Sequence, residues 1–599
     1  MQETIAKKTF LRGGEFLIHA TPPSAIFIPE EMDEEQQMIR DMVKDFLHTS
    51  ILPNIAKIEA QQGHITPQLL EKMAELGLLG AHMPELYGGM ALDTNTNTII
   101  ADTLGPAGAF TVSFAAHTGI GMLPILYFGT EAQKETYLPR LISGEFKAAY
   151  CLTEPNSGSD ALAAKTRADL TADGRHYLLN GQKMWITNAG FADIFIVFAQ
   201  VDGDKFTGFI VDRHSEGISL GAEEKKLGIK GSSTRQVFFE NVKVPVGNLL
   251  GQKGKGHLIA FNALNTGRFK LCALALGGAK GSATTAIQYA NERIQFKVPI
   301  ASFGAIQYKL AEQAIRIFAA ESAMYRVSNL MELKKEALQE MGASFGDAKL
   351  QAAEEYAIEC ALLKVAGSET LDYVVDESLQ IHGGMGYSEE GTAARAYRDS
   401  RINRIYEGTN EINRLLAVDM LLKRAMKGAI DIVGPAWEVQ KELSTMPGFI
   451  PLEGEYAAEE KAVGDFKKII LMIAGAAVKM QMEGQLNLKT EQEIIINVAD
   501  LMLDTFLTES LLLRVKKLTM IDTPIEQEVY DAMLRVFITD ATARIQKNAT
   551  DALVSFAEGD LLRILLTGLN RFTKYPPTNV KRGRRQIAAA LLSANAYCF

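Results

Sequence analysis

Twice along this chain the hydrophobic period changes, from helical to alternating near Ala148 and back to helical near Gly256. A stretch patterned for one period does not settle in the other, so the changes predict three successive regions of different structure. From Glu31 onward Met38, Ile39, Met42, Val43, Phe46 and Leu47 fall on one helical face. Thr66-Pro67 then offers an N-cap and a first-turn proline to a second helix. Between 148 and 250, runs rich in Val, Ile, Phe and Thr are separated by Asp173-Gly174, Asn180-Gly181 and Asp202-Gly203, which predict turns between short strands. From Gly256 to Gly428 the helical period returns, and Gly277-Gly278, Gly281 and Gly383-Gly384 are expected to interrupt it. Pro435, Pro447 and Pro451 predict a linker. Beyond Glu459, KKIILMIAGAAVKM and NVADLMLDTFLTESLLLRVKKL are strongly apolar on at least one face. The expected organisation is α+β and mostly α: an arm at 1–30, a helical domain at 31–147, a middle β domain at 148–255, a helical bundle at 256–430, a linker at 431–458 and a helical extension at 459–599.

The 599 residues are 47% hydrophobic and 22% charged, enough for several domains with a large core. A net charge of −10 argues against a general nucleic-acid binder and for small-molecule or protein partners. Cys151, Cys272, Cys360 and Cys598 are scattered without a CxxC, which indicates neither a disulfide framework nor a zinc site and fits a reducing compartment. The first residues, MQETIAKKTFLRGGEFLIHATPP, lack the apolar core and cleavage site of a secretory signal. A bacterial cytoplasm is expected, although a processed mitochondrial protein would look similar. Gly105 to Thr130 carries no Asp, Glu, Lys or Arg and is nominally long enough to span a bilayer. Pro106, Pro124 and the polar Ser113, His117 and Thr118 within it make a buried helix-and-turn segment the better reading.

Three stretches carry chemistry. In Arg404-Ile405-Tyr406-Glu407-Gly408-Thr409-Asn410-Glu411-Ile412 a carboxylate stands in a polar turn before an amphipathic helix, with Thr409 or Asn410 as N-cap. A glutamate desolvated there by a ligand would have its pKa raised towards neutrality, which suits a general base. Tyr150-Cys151-Leu152-Thr153-Glu154-Pro155-Asn156-Ser157-Gly158-Ser159-Asp160 packs hydroxyls, a proline and a glycine into a tight turn able to offer donors to an electron-rich ring or a phosphate. In Trp185-Ile186-Thr187 alternation puts an aromatic plane and a hydroxyl on one face, where they could hold a flat cofactor. Taken singly, each also reads as an ordinary capped turn, an ordinary loop and a core tryptophan.

Together these stretches resemble the acyl-CoA dehydrogenase family, whose TEPxxGSD, W-[IST]-[TS], QxxGGxG[YF] and YEGT motifs stand here as TEPNSGSD at 153–160, WIT at 185–187, QIHGGMGY at 380–387 and YEGTNEI at 406–412. The extension, with ALNTGRF at 263–269, looks most like the very-long-chain branch. The resemblance implies an N-terminal helical domain, a middle β domain and a C-terminal four-helix bundle, with FAD between them reaching into a neighbouring subunit. It implies that Tyr150, Leu152, Thr153, Ser159, Trp185 and Thr187 grip the flavin ring. Arg293, Phe303, Gln380, Gly383 and Gly384 match contacts to the partner subunit's FAD, and Thr409 to Glu411 match the segment beside the adenosine diphosphate of FAD. Ser159, Asn265, Arg268 and Gly408 match acyl-CoA contacts, and Glu407 the base that removes the α-proton while a β-hydride passes to flavin. Some relatives carry the base on the helix of Asn265 and Arg268; the matching residue here is Gly267, which leaves Glu407.

The small Ala115 and Ala116, where the acyl channel should end, favour medium-to-long straight chains. An electron-transferring flavoprotein is the implied acceptor and a homodimer the implied assembly. Seven basic and no acidic residues from Leu561 to Phe599 are a solvated face or a contact with an anionic membrane. Two other functions stay open: an acyl-CoA oxidase using dioxygen, and a non-enzymatic assembly scaffold for a respiratory complex.

Overall fold

In a computed structural model, residues 10–445 and 452–599 are described; residues 1–9 of the expected arm, and Pro447 and Pro451 of the expected linker, lie outside the described residues. The first helical region opens with helix Glu34–Phe46, capped by Asp33, whose Oδ1 accepts the Gln36 N–H at 2.8 Å. Ile39, Val43, Phe46 and Leu47 are buried, but Met38 is 73% exposed, so the expected apolar face is one residue too wide. The next long helix, Ile65–Glu75, starts one residue before Thr66, with His64 at its cap position. Thr66 therefore does not act as N-cap; it is buried in the first turn, where Pro67 gives up no intrahelical hydrogen bond. The apolar run Ala109–Phe128 is long enough to cross a membrane by composition, yet 83% of its most apolar window is buried inside the protein.

The middle region is a twisted sheet built from β1 (Ala148–Cys151), β2 (Arg167–Leu170), β3 (His176–Thr187), β4 (Ile194–Val201), β5 (Lys205–Asp212), β6 (Ile218–Leu220), β7 (Thr234–Pro245) and β8 (Leu249–Leu250). The strands run in the order β6-β7-β3-β2-β4-β5-β8, and β1 pairs in parallel with β4, Ala148 opposite Ile194. Asp173-Gly174 and Asp202-Gly203 turn the chain between strands as expected. Asn180-Gly181 does not. β3 runs straight through it with a register shift, because a side chain at 181 would come within 2.5 Å of Thr166 Oγ1 and glycine lets the backbones meet there.

Four long helices then form the bundle: Gly256–Glu292, Gly304–Glu340, Ala357–His382 and Asn410–Met426. Gly277, Gly278 and Gly281 do not interrupt the first of them. They let the backbone around Gly105 and the Pro106 ring lie directly on the helix, where a methyl group at 277 would run into the Asp102 carbonyl. Gly383, at φ +58°, does end its helix.

Part of the expected linker is helical, Val433–Leu443, with Pro435 harmlessly in the first turn. The extension adds helices Ala457–Met482, Gln492–Leu518, Gln527–Phe556, Gly559–Phe572 and Val580–Ala594. It shares one hydrophobic core with the bundle, in which Phe318, Tyr325 and Leu363 belong to the same buried cluster as Phe466, Leu511 and Leu534. Buried ion pairs cross the join: Arg514 meets Glu321 and Glu30 at 2.7 Å each, and Arg326 meets Glu509 at 2.9 Å. The basic C-terminal stretch is partly absorbed in the same way, Arg584 by Glu312 and Asp540, Arg571 by Glu442. This leaves Arg563, Lys574, Lys581, Arg582 and Arg585 exposed.

Candidate active site

The turn before helix Asn410–Met426 holds two consecutive left-handed residues, Glu407 at φ +59° and Gly408 at φ +78°. A glutamate rarely adopts this conformation unless its surroundings hold it there. Arg268 Nε donates to the Glu407 carbonyl at 3.2 Å, while Asn413 Nδ2 donates to the carbonyls of Gly408 at 2.7 Å and Thr409 at 3.0 Å. Thr409 is the N-cap, its hydroxyl accepting the Ile412 N–H at 3.2 Å. Arg268 is itself held by Asn265 Oδ1 at 2.9 Å, and both side chains are buried. Asn265 and Arg268, expected to meet a ligand, thus also fix the backbone that aims Glu407.

The Glu407 carboxylate lies on the wall of a cavity of about 770 Å³. Thr187, Gly267, Ala115 and Ala116 share that wall, so the sheet, the first helical region and the bundle meet around one space. Glu407 Oε2 has no hydrogen-bond partner among the described residues, and a side chain at 267 would sit 2.7 Å from it. Gly267 is therefore the clearance that lets Glu407 occupy the site. Burial pushes the Glu407 pKa up to about 7, although the charges of Arg268 and Lys364 pull it down. Lys364 went unpredicted. Its ammonium is buried, donates to Asn410 Oδ1 at 2.7 Å, and has its pKa pushed down to about 7 by burial against the opposing pull of Glu407. A lone lysine in the apolar run IECALLKVAGS was the available signal.

The TEPNSGSD turn is anchored by a buried ion pair that sequence reasoning also missed, Glu154 Oε1 to Lys183 Nζ at 2.7 Å. The same carboxylate accepts the N–H groups of Lys165 at 2.6 Å and Thr166 at 3.0 Å, and Lys183 also donates to the Leu152 carbonyl at 3.2 Å. Burial alone would raise the Glu154 pKa, but these partners hold it below the usual carboxylate range. The Met184 N–H donates to the Thr153 carbonyl at 2.9 Å and clamps the turn to β3. Tyr150 and Leu152 are buried, and Ser159 is exposed. The alternation expected at Trp185-Ile186-Thr187 is disturbed by a register shift between Lys183 and Ile186, with Trp185 at φ +60°. Its indole is 53% exposed on the open surface, while Thr187 reaches the cavity wall.

Arg293, Gln380, Gly383 and Gly384 are exposed and Phe303 half-buried. They sit where helices Gly256–Glu292 and Ala357–His382 end together, joined by the Tyr289 and His382 rings stacked at 4.3 Å. At 1.5 Å per residue that end is roughly 37 Å along the helix from Gly267. None of them lines the Glu407 cavity, whose wall runs along these two helices as far as Gln288 and Ser378. Beside them the hairpin of β9 (Ile294–Gln295) and β10 (Val298–Pro299) projects outward, with Phe296 88% exposed at its tip.

Family models of acyl-CoA dehydrogenase domains match the chain in four places: the N-terminal domain at residues 33–145, the middle domain at 149–242, and C-terminal domains at 254–422 and 465–571. A probable acyl-CoA dehydrogenase of Bacillus subtilis is 45% identical over 98% of both chains. A mitochondrial very-long-chain specific acyl-CoA dehydrogenase of Macaca fascicularis is 41% identical over 60% of this chain and 53% of its own, so the match spans about half of that relative. A crystal structure of an acyl-CoA dehydrogenase complexed with FAD from Bacillus anthracis superimposes with a TM-score of 0.95, at 45% identity, covering 98% of this chain and 100% of that one.

Proposed function

This chain belongs to the acyl-CoA dehydrogenase family, and on that premise we propose that it is the FAD-dependent enzyme that converts medium-to-long-chain saturated acyl-CoA to trans-2-enoyl-CoA. The observation that carries the reading is Glu407, a carboxylate with an unpartnered oxygen on the wall of a long, mostly apolar cavity and a pKa pushed up to about 7.

The chain fits a flavin on its own features. An indole left half open at a strained β3 position, a hydroxyl at Thr187 on the cavity wall, and a turn locked by Glu154 and Lys183 form a rigid platform. Tyr150, Leu152, Thr153, Ser159, Trp185 and Thr187 would hold the ring. When bound, FAD supplies a two-electron acceptor for the β-hydrogen of the substrate. Glu407 takes the α-proton, and its elevated pKa matches a proton acceptor working near neutrality. Arg268, Asn265 and Asn413 keep the Glu407–Gly408 backbone in its left-handed conformation, so the carboxylate and the Glu407 N–H both face the thioester. The N–H polarises the thioester oxygen and so acidifies the α-carbon, the kind of donor whose loss costs about 2.7–4 kcal/mol elsewhere. Arg293, Phe303, Gln380, Gly383 and Gly384, grouped at the helix ends remote from Gly267, would hold the partner's FAD in a homodimer. The exposed Phe296 hairpin belongs to the same face. An electron-transferring flavoprotein would reoxidise the cofactor, in a bacterial cytoplasm.

Anaerobic titration of the flavin-loaded protein with saturated acyl-CoAs, followed by flavin absorbance, tests this. Wild type should bleach, and Glu407→Gln should retain FAD without bleaching. Retention of FAD with no bleaching of wild type by any acyl-CoA would overturn the assignment.

A further inference from the structure

The cavity wall that carries Ala115 and Ala116 is not wholly apolar. It also includes Thr118, Lys270 and Lys349, together with His82, Met331, Ala352 and the Glu332-paired Lys335. Lys270 lies one helical turn along from Gly267, about 4.5 Å of rise, so its ammonium reaches into the same space from deeper in the bundle. Among the described residues each ammonium makes a single hydrogen bond, and to a neutral oxygen: Lys270 Nζ, which also lies over the Phe114 ring, donates to Thr118 Oγ1 at 2.5 Å, and Lys349 Nζ to the His82 carbonyl at 3.2 Å. An ammonium has three protons to donate, so both retain unmet donors. Among the described residues no carboxylate lies within ion-pair range of either lysine. Glu332 is taken by Lys335 at 2.7 Å and by Thr94, and acts on Lys349 only at longer range, as does Asp93. His82, buried between them, cannot compensate, because the two lysines hold it well below its ordinary pKa after burial has already lowered it.

Several buried cations of this chain are paired, Lys183 with Glu154, Lys280 with Asp102 and Glu321, Arg514 with Glu30 and Glu321, whereas Lys364 donates to the neutral Asn410 Oδ1. Lys270 and Lys349 also lack a carboxylate partner among the described residues, and unlike Lys364 they lie on the cavity wall. An apolar tail passing Ala116 would bring a methyl group to two ammonium groups and satisfy neither. We propose that this end of the cavity is a site for an anionic tail terminus, and that the enzyme accepts ω-carboxyacyl-CoA, a thioester whose far end carries a carboxylate held by Lys270 and Lys349. The inference rests on the dehydrogenase reading for the thioester end, and it alters the substrate class from plain fatty acyl to dicarboxylic monothioester.

The test separates tail recognition from chemistry. Matched pairs of acyl-CoA, one ending in methyl and one in carboxylate, from six to sixteen carbons, are titrated calorimetrically into flavin-loaded Glu407→Gln protein and assayed for turnover on wild type. The expected result is at least tenfold tighter binding of the carboxylate-ended member at one chain length, with the same preference in kcat/KM. In Lys270→Met and Lys349→Met that preference should fall at least tenfold, while bound-flavin absorbance reports that each variant is folded. Tighter binding of the methyl-ended member at every length, or a preference the lysine variants leave intact, overturns the proposal. If methyl-ended thioesters turn over and carboxylate-ended ones neither bind nor react, this inference falls and the dehydrogenase reading stands. If the carboxylate preference appears in binding but nothing turns over, the dehydrogenase reading falls and the tail site stands.

Discussion

Around Glu407, glycine and lysine decide how well a carboxylate can act as a base. Gly267 leaves the space that Glu407 fills, and an added methyl group would stand 2.7 Å from Oε2. Gly267→Ala should therefore displace the carboxylate and lower kcat/KM by about 10²-fold, the cost of misplacing a catalytic group by ~1 Å. Steady-state kinetics on flavin-loaded protein checks this, and activity near wild type would show that the carboxylate is not held against residue 267. Lys364 acts through charge. As the proposed base Glu407 would work ionised, and with its pKa pushed up to about 7 by burial kcat/KM should rise as pH passes upward through that value. The Lys364 ammonium lowers the Glu407 pKa, so Lys364→Met should move the acidic limb of the profile to higher pH and reduce the rate at pH 7 several-fold. An unmoved limb would mean that Lys364 serves only to hold Asn410. The capped turn that carries Glu407 was legible in the sequence because its motif is local and ordered. Lys364, Lys183 and the cavity lysines were not, since their roles arise from elements that meet only in the folded chain.

At the level of elements, the sequence conveyed period and order well and misjudged glycine. The switch from helix to strand at Ala148 and back at Gly256 matches β1 and the start of helix Gly256–Glu292, because burial on one face of each element imposes its own spacing. Asn180-Gly181 and Gly277-Gly278 have the composition of breaks but lie inside a strand and a helix. What selects glycine there is a second backbone arriving from far along the chain, Thr166 in one case and Asp102 with Gly105 in the other, which no local pattern reports. The same substitution should then have opposite signs at two helical glycines. Gly277→Ala drives a methyl group into the Asp102 carbonyl and should destabilise by about 1–3 kcal/mol or more. Gly464→Ala, in helix Ala457–Met482 with nothing within 4 Å, should be neutral or stabilise by up to ~1 kcal/mol. Thermal or urea unfolding of the two variants decides it; equal destabilisation would mean that close approach is not what glycine provides at 277.

For the molecule as a whole the question is what fastens the extension to the bundle. A shared apolar core joins the two, and an ionic contact crosses it: Arg514 is 0% exposed and meets Glu321 on the bundle and Glu30 before the first long helix, both at 2.7 Å. The arrangement ties three distant stretches of chain through one guanidinium, whose planar fork can engage two carboxylates at once. The chain end depends on the same region, for Tyr597 lines the cavity and its N–H donates to Thr284 Oγ1 at 3.2 Å. Removing one partner of such a buried group leaves uncompensated charge, which is far more costly than losing a pair in water. Arg514→Met should thus destabilise by about 3–5 kcal/mol and make the extension the first part to yield to limited proteolysis. Arg563→Ala is the contrasting case: its pair with Asp560 is exposed on both sides, and the melting temperature should not change measurably. If Arg514→Met melts like wild type, the extension is held by apolar burial alone, and the buried charges serve to fix its register on the bundle rather than its stability.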